Sequence, residues 1–224
     1  MEKYILALKR TKLFSGIGEE DISSLLNCLQ AEVRTYKKGE YVFRQGENID
    51  CVSVLISGKL HIQRDDYWGN RSIINVIEPG EMFGEAYNAR QDSPVLNDVI
   101  SVEDSTVIFF EVKKMLTSCS NTCRFHCMVV QNLFFIISEK NRRLVQKLGH
   151  MAHRTTREKL LSYLSEESQK QNSPVFEIAF NRQQLADYLS VDRSAMSSEL
   201  SKMRDEGLIE FNKNHFQLKE LTFE

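Results

Sequence analysis

No stretch of this 224-residue sequence approaches the ~20 consecutive apolar residues of a bilayer-spanning helix, which excludes an α-helical membrane protein. Met1 to Phe14 place lysines at 3, 9 and 12 and contain no continuous apolar run, so no secretory signal is predicted and the chain is expected in the cytoplasm. Cysteine is scarce: five residues, an odd number without disulfide-framework spacing, fit reduced thiols. Catalytic signatures are missing too. There is no glycine-rich phosphate loop, paired catalytic carboxylates, zinc-ligand spacing or nucleophile elbow, so the chain is not expected to be an enzyme. Nor is there an excess of positive charge. The formal net charge is −2, and from Arg154 onward ten Lys and Arg face twelve Asp and Glu. Any contact with nucleic-acid phosphates must therefore come from a local cluster, for which Arg182, Arg193, Lys202, Arg204 and Lys213 are the candidates.

What is present reads as an ordinary globular chain, 42% apolar and 27% charged, long enough for two domains with separate cores. Residues 1 to about 30 predict a helical pair, with Leu6, Leu13, Ile17, Ile22, Leu25, Leu26 and Leu29 at amphipathic spacing and Gly16 and Gly18 as breaks. From Ala31 to Val112 the grammar changes to short β-branched or aromatic runs, Tyr41–Phe43, Val52–Ile56, Leu60–Ile62, Ile73–Ile77 and Thr106–Phe110. These are divided by turns such as Gln45-Gly46, Ser57-Gly58-Lys59, Trp68-Gly69-Asn70 and Pro79-Gly80, the pattern of a sandwich or barrel. One long helix follows from about Asn121 to Gly149. Val130, Leu133, Ile137, Leu144 and Leu148 form its stripe, with Asn141 on the same line. That stripe exceeds what one barrel needs, and a polar Asn at a helix seam fixes register, so a homodimer is expected; a helix packed only on its own barrel is the alternative.

Beyond the break at Ala152–Thr155 come a helix at Arg157–Leu164, a polar loop at Gln169–Pro174 and a strand at Phe176–Phe180. Asn181 to Met203 then read as two short helices with a tight turn. Leu185, Ala186 and Leu189 share a face of the first; Val191 plugs the turn and Asp192 caps the second. Met196, Leu200 and Met203 point inward in the second, leaving Arg193, Ser194, Ser197, Ser198 and Ser201 outward. Small polar residues with one arginine suit the DNA major groove; a solvated helical hairpin is the other reading of this pattern alone. Leu208–Phe211 and His215–Leu218 flank the Asn-rich turn Asn212-Lys213-Asn214, a hairpin that turns the unit into a winged helix and favours DNA.

The segments Lys37–Glu47, Ile56-Ser57-Gly58-Lys59-Leu60 and Pro79–Glu85 resemble the cyclic-nucleotide-binding jelly roll, and the order of elements from about residue 13 to 220 resembles a Crp/Fnr-type bacterial transcription regulator. The resemblance implies an α+β chain: an N-terminal β jelly-roll sensing domain with its helices (1–120), a dimerisation helix (121–152) and a C-terminal winged helix–turn–helix domain (153–224). It implies a homodimer on a palindromic operator in double-stranded DNA, an unknown small-molecule effector and RNA polymerase as a partner. A sensor whose terminal domain docks on protein is the competing reading.

Two departures from the family pattern bear on function. Gly84 and Glu85 match the start of the family's phosphate cassette, but its Arg-Ser pair falls on Val95 and Leu96, with Ser93-Pro94 just before and Arg90 five residues early. Burying a cyclic phosphate without a cation is costly, which argues against cyclic AMP and leaves Glu85 a structural cap. The effector pocket is expected around Gly84, Glu85, Val95, Leu96 and Asn141, and no cofactor is assigned. Cys119, Cys123 and Cys127 fall at i, i+4 and i+8, beside His126; buried small residues are the first expectation, with thiol redox sensing, an iron–sulfur cluster, or haem through His61 or His126 as alternatives. In the reading helix, Arg193 matches the family's first base-reading arginine, while Ser194 and Ser198 stand where Glu and a second Arg are usual. Glu199 is expected to pair with Lys202. Arg182, Gln183 and Lys213 resemble phosphate contacts, and Ser190 sits where the family often has Gly.

Overall fold

The computed structural model describes residues 2–65, 67–68, 71–87, 94–116 and 124–219, and the chain divides into two compact units, Met1–Ser138 and Glu139–Glu224. The first opens with helices α1 (Ile5–Lys9) and α2 (Glu19–Cys28), joined through a 3-10 turn at Lys12–Phe14. Gly16 stands between them at φ +80, a conformation open to residues without a Cβ.

Eight strands follow: β1 (Glu32–Tyr36), β2 (Tyr41–Phe43), β3 (Cys51–Ser57), β4 (Leu60–Asp65), β5 (Arg71–Ile77), β6 (Met82–Phe83), β7 (Asp98–Ser101) and β8 (Ser105–Glu111). They form two antiparallel four-stranded sheets, ordered β1-β8-β3-β6 and β2-β7-β4-β5, the interleaved order of a jelly roll. Strand alternation builds two cores. Leu55, Val107 and Phe109 face inward with Leu60, Ile77, Phe83 and Val99, while their neighbours Val54, Ile108 and Phe110 face the helices, packing on Leu8, Phe14, Ile22 and Leu25. At the β3–β4 turn Gly58 has φ +87, and a Cβ there would lie 2.6 Å from the Asp104 carbonyl, so the expected Ser57-Gly58-Lys59 turn admits only glycine. Strands β6 and β7 are too short to show a period of their own in sequence.

Helix α3 (Val112–Leu116) precedes α4 (Arg124–Met151), which matches the expected long helix. Its apolar residues serve two masters. Val129, Leu133 and Ile136 are buried in the first unit's core, so Leu133 belongs to that core and not to a seam. Phe134, Phe135, Ile137, Leu144, Val145 and Leu148 are exposed, Leu144 at 60% and Leu148 at 64%. The packing of the helix on its own barrel is thus realised on one face, and a second apolar face is left exposed.

The second unit adds α5 (Thr156–Gln171), β9 (Val175–Glu177), α6 (Arg182–Leu189), α7 (Arg193–Asp205), β10 (Ile209–Asn212) and β11 (His215–Leu218), the three strands ordered β10-β11-β9. Helix α5 runs seven residues past the expected Leu164 and absorbs part of the predicted polar loop. Its start is fixed by a capping box: Thr155 Oγ1 accepts from the Glu158 amide and Glu158 returns a bond to the Thr155 amide, each 3.1 Å. Its polar end is sustained by Lys170 pairing with Glu166 at 2.7 Å and Glu167 at 2.9 Å, and Asn172 ends it in the left-handed conformation. Strand β9 stops at Glu177, short of the expected Phe180.

Candidate nucleic-acid interface

The candidate interface rests on α6, α7 and the β10–β11 wing. Asn181 caps α6 reciprocally with Gln184, its Oδ1 accepting from the Gln184 amide at 3.0 Å while Gln184 Oε1 accepts from the Asn181 amide at 2.9 Å. The helix ends at Ser190, held at φ +51, where an L-residue is strained. The Val191 amide donates to the Ala186 carbonyl at 3.0 Å, closing the turn, and Asp192 accepts from the Ala195 amide at 2.7 Å to start α7. Met196, Leu200 and Met203 are fully buried, together with Leu185, Ala186 and Leu189. Their burial turns Arg193, Ser194, Ser197 and Ser198 to solvent, with Ser201 half-buried and donating back to the Ser197 carbonyl.

The wing turn is shorter than Asn212-Lys213-Asn214: Asn212 pairs with His215, leaving a two-residue turn with Lys213 at φ +54. Asn214 anchors it, its carbonyl accepting from the Ile178 amide at 2.9 Å. Arg182 and Lys213, expected as phosphate contacts, line one cavity of about 530 Å³ with Phe180, Asn181, Gln184 and Asn214. The Arg182 guanidinium lies over Phe211 at 4.9 Å and Phe216 at 5.1 Å, so it joins α6 to the wing through ring faces. Burial lowers its pKa from the ordinary arginine value, yet a guanidinium keeps its charge. Gln183, exposed on α6, donates to Asp187 at 2.9 Å.

Ion pairing explains how an acidic module can present positive charge. Arg157 binds Glu199 and Glu206, Lys170 binds Glu166 and Glu167, Lys219 binds Glu210, and Arg204 binds Asp205. Arg193 and Lys213 have no carboxylate partner among the described residues. Arg193 on the reading helix and Lys213 in the wing are therefore cations that the residue count hides. The expected Glu199–Lys202 pair is present at 3.9 Å, but the closer partner of Glu199 is Arg157 Nε, at 2.5 Å. Sequence reading missed Arg157 because its partners lie 42 and 49 positions away, beyond any local pattern.

Where the long helix ends, His150 is buried. Its Nδ1 lies 2.9 Å from Ser162 Oγ and its Nε2 3.1 Å from Glu166, with the Tyr163 and Tyr188 rings beside it. Burial pulls its pKa below the ordinary 6.5 against the attraction of Glu166.

In the barrel, Gly84 sits at φ +88, where a Cβ would come within 3.3 Å of the Phe43 ring, and Glu85 opens a 3-10 turn at Glu85–Tyr87. Val95 is 1% exposed and packs with Phe43 and Val99, its amide donating to the Glu47 carbonyl at 2.8 Å. Leu96 is exposed, as is Asn141 on α4. Gly84 and Val95 thus share the Phe43 surroundings, whereas Leu96 turns away. Arg90, Ser93, Cys119 and Cys123 lie outside the described residues. Cys127 is exposed rather than a buried small residue, and buried His126 directs Nε2 to the Met115 carbonyl at 2.9 Å, which engages that nitrogen in the core. Among the described residues, no three His, Cys, Asp or Glu side chains gather to hold a metal ion, and no helix is long and apolar enough to cross a membrane.

Residues 33–122 match the cyclic nucleotide-binding domain family, and residues 158–222 match the Crp-like helix-turn-helix domain family. The cyclic AMP receptor protein of Thermus thermophilus is 22% identical over 213 residues, 95% of this chain and 94% of its own length. The transcriptional regulatory protein btr of Bordetella pertussis is 22% identical over 214 residues, 92% of this chain and 84% of that one. Among solved structures, the Thermus thermophilus catabolite activator protein is similar with a TM-score of 0.53 at 22% identity, over 94% of each chain. OCPA-complexed CprK is similar with a TM-score of 0.61 at 16% identity, over 88% of this chain and 92% of that one. These structural likenesses are of fold.

Proposed function

We propose, from the premise that this chain belongs to the Crp/Fnr family of transcriptional regulators, that it acts as a homodimer on a two-fold-symmetric operator and answers to an effector other than cyclic AMP. The observation that carries the DNA reading is the outward face of α7, where Arg193, without a carboxylate partner among the described residues, stands among short serines. Arg193 can hold a guanine through O6 and N7, worth about 1–3 kcal/mol of discrimination, while Ser194 and Ser198 donate or accept at shorter reach and specify less. Arg182, Gln183 and Lys213 fix the module on the phosphates, the first two beside the start of α6 and the third from the wing.

The homodimer reading is supported by the apolar face of α4, which faces water in a single chain. Control passes from barrel to reading helices through that helix, with Gly84, Glu85 and Val95 as the effector-facing set and RNA polymerase as the partner of the DNA-bound dimer. Although one relative is named for cyclic AMP, Val95 and Leu96 here supply no cation for a cyclic phosphate, and Val95 belongs to the core. Selection from random duplex DNA tests the scheme: a palindrome with half-sites spaced about one helical turn is expected. Recovery of no palindrome overturns it.

A further inference from the structure

Arg157 lies on α5, outside the helix–turn–helix, yet its whole guanidinium is committed to the reading helix. Nε donates to Glu199 Oε1 at 2.5 Å, and Nη1 and Nη2 donate to the two carboxylate oxygens of Glu206 at 2.7 Å each. Glu199 lies within α7 and Glu206 caps its end, seven residues on, so the two stand on one helix face two turns apart. A planar fork can hold two carboxylates in fixed directions, which an ammonium cannot. Glu199 follows Ser198 directly, and its side chain is only 18% exposed while so held. Released, that carboxylate would lie next to the reading face, where it repels phosphate and can accept from a cytosine amine.

We propose that Arg157 is a positioning residue for operator recognition: it fixes how α7 is set on its module and withholds Glu199 from the DNA. The proposal rests on the reading that α7 enters the major groove. The exposed Arg157–Glu206 pair contributes little to stability, and the part-buried bond to Glu199 sets the geometry. With Arg193 as the one long side chain among serines, discrimination depends on its placement to within about 0.5 Å.

The test compares wild type, R157Q, R157K and E199Q, each as full-length protein, for affinity to the selected operator and to an unrelated duplex of equal length at one salt concentration. R157Q should lower the operator-to-unrelated ratio about tenfold, the scale of one base contact. R157K should recover only part of the ratio, and E199Q, which keeps an acceptor of the same size, should lower it by a smaller factor. A merely structural role would reduce melting temperature and both affinities together, leaving the ratio in place. An unchanged ratio in R157Q overturns the proposal, and where R157Q does not fold an unchanged ratio in E199Q does so. A wild-type chain without a preferred duplex overturns the DNA reading and the role of Arg157 with it.

Discussion

The two units of this chain carry their chemistry in opposite places. The winged unit displays it on the outside of one short helix and a turn, so that inward Met196, Leu200 and Met203 automatically set Arg193 and the serines outward. In the barrel the proposed effector-facing residues lie between two sheets, where Phe43, Val95, Val99 and Phe109 from separate strands and loops pack as core. A surface reader can exchange contact residues and keep its fold, because the buried stripe is a separate set of positions. A cavity has no such freedom: the residues that would meet a ligand are those that pack the core. Val95 illustrates this, since the position where the family resemblance expects a phosphate-binding arginine is here a core residue.

Several measurements break or sharpen that contrast. The largest effect is expected at the exposed apolar face of α4. Leu144→Glu should convert the dimer to a monomer in sedimentation and cost operator affinity on the order of a hundredfold, since an unpaired carboxylate in an apolar seam costs several kcal/mol. A variant still dimeric at wild-type affinity places the seam elsewhere. On the reading face, Arg193→Ala should lose about 1–3 kcal/mol of discrimination at one base pair per half-site. Lys213→Ala, by contrast, should weaken all sequences alike and reduce the salt slope by about one; equal effects from both would erase the division between reading and phosphate contacts.

Smaller effects probe the frame of the winged unit. Ser190→Gly relieves a left-handed L-residue and should stabilise the unit by about 1 kcal/mol in thermal melting. Loss of stability would mean that the serine hydroxyl matters more than the backbone. The buried His150 has a depressed pKa, so just below pH 6.5 the unfolded chain takes up a proton that the folded chain refuses. Stability should therefore be level in this respect above pH 6.5 and fall as pH drops through it, and His150→Gln should flatten that slope. An identical slope in the variant would assign the dependence to the carboxylates instead. In the barrel the expected effect is none: cyclic AMP should leave melting unchanged, where a ligand at a hundred times its Kd would add about 2.7 kcal/mol.

Legibility followed range. Strands β2, β3, β4, β5 and β8, the long helix, the Asp192 cap of the helix–turn–helix and its buried stripe could be read because each is decided by neighbours within one or two turns. The extent of α5 was misjudged because Gln169, Lys170 and Gln171 look like a loop until the Lys170 pairs with Glu166 and Glu167 are seen. Arg157 was illegible, its three bonds reaching across to another helix. Leu133 was assigned to the wrong face because a helix stripe says which residues are buried together and not what buries them.

By itself, then, the sequence determined the order of elements, the inward and outward faces of the reading helix, and that Val95 and Leu96 stand where the family resemblance places an Arg-Ser pair. These are local matters, fixed by period, cap and residue type. Tertiary structure alone decided that Arg182 is seated on the wing's aromatic rings and that two acids of the terminal module, Glu199 and Glu206, are held by Arg157 of another helix. Those outcomes depend on distances between residues far apart in the chain, and electrostatic interactions are set by distance in space rather than separation in sequence.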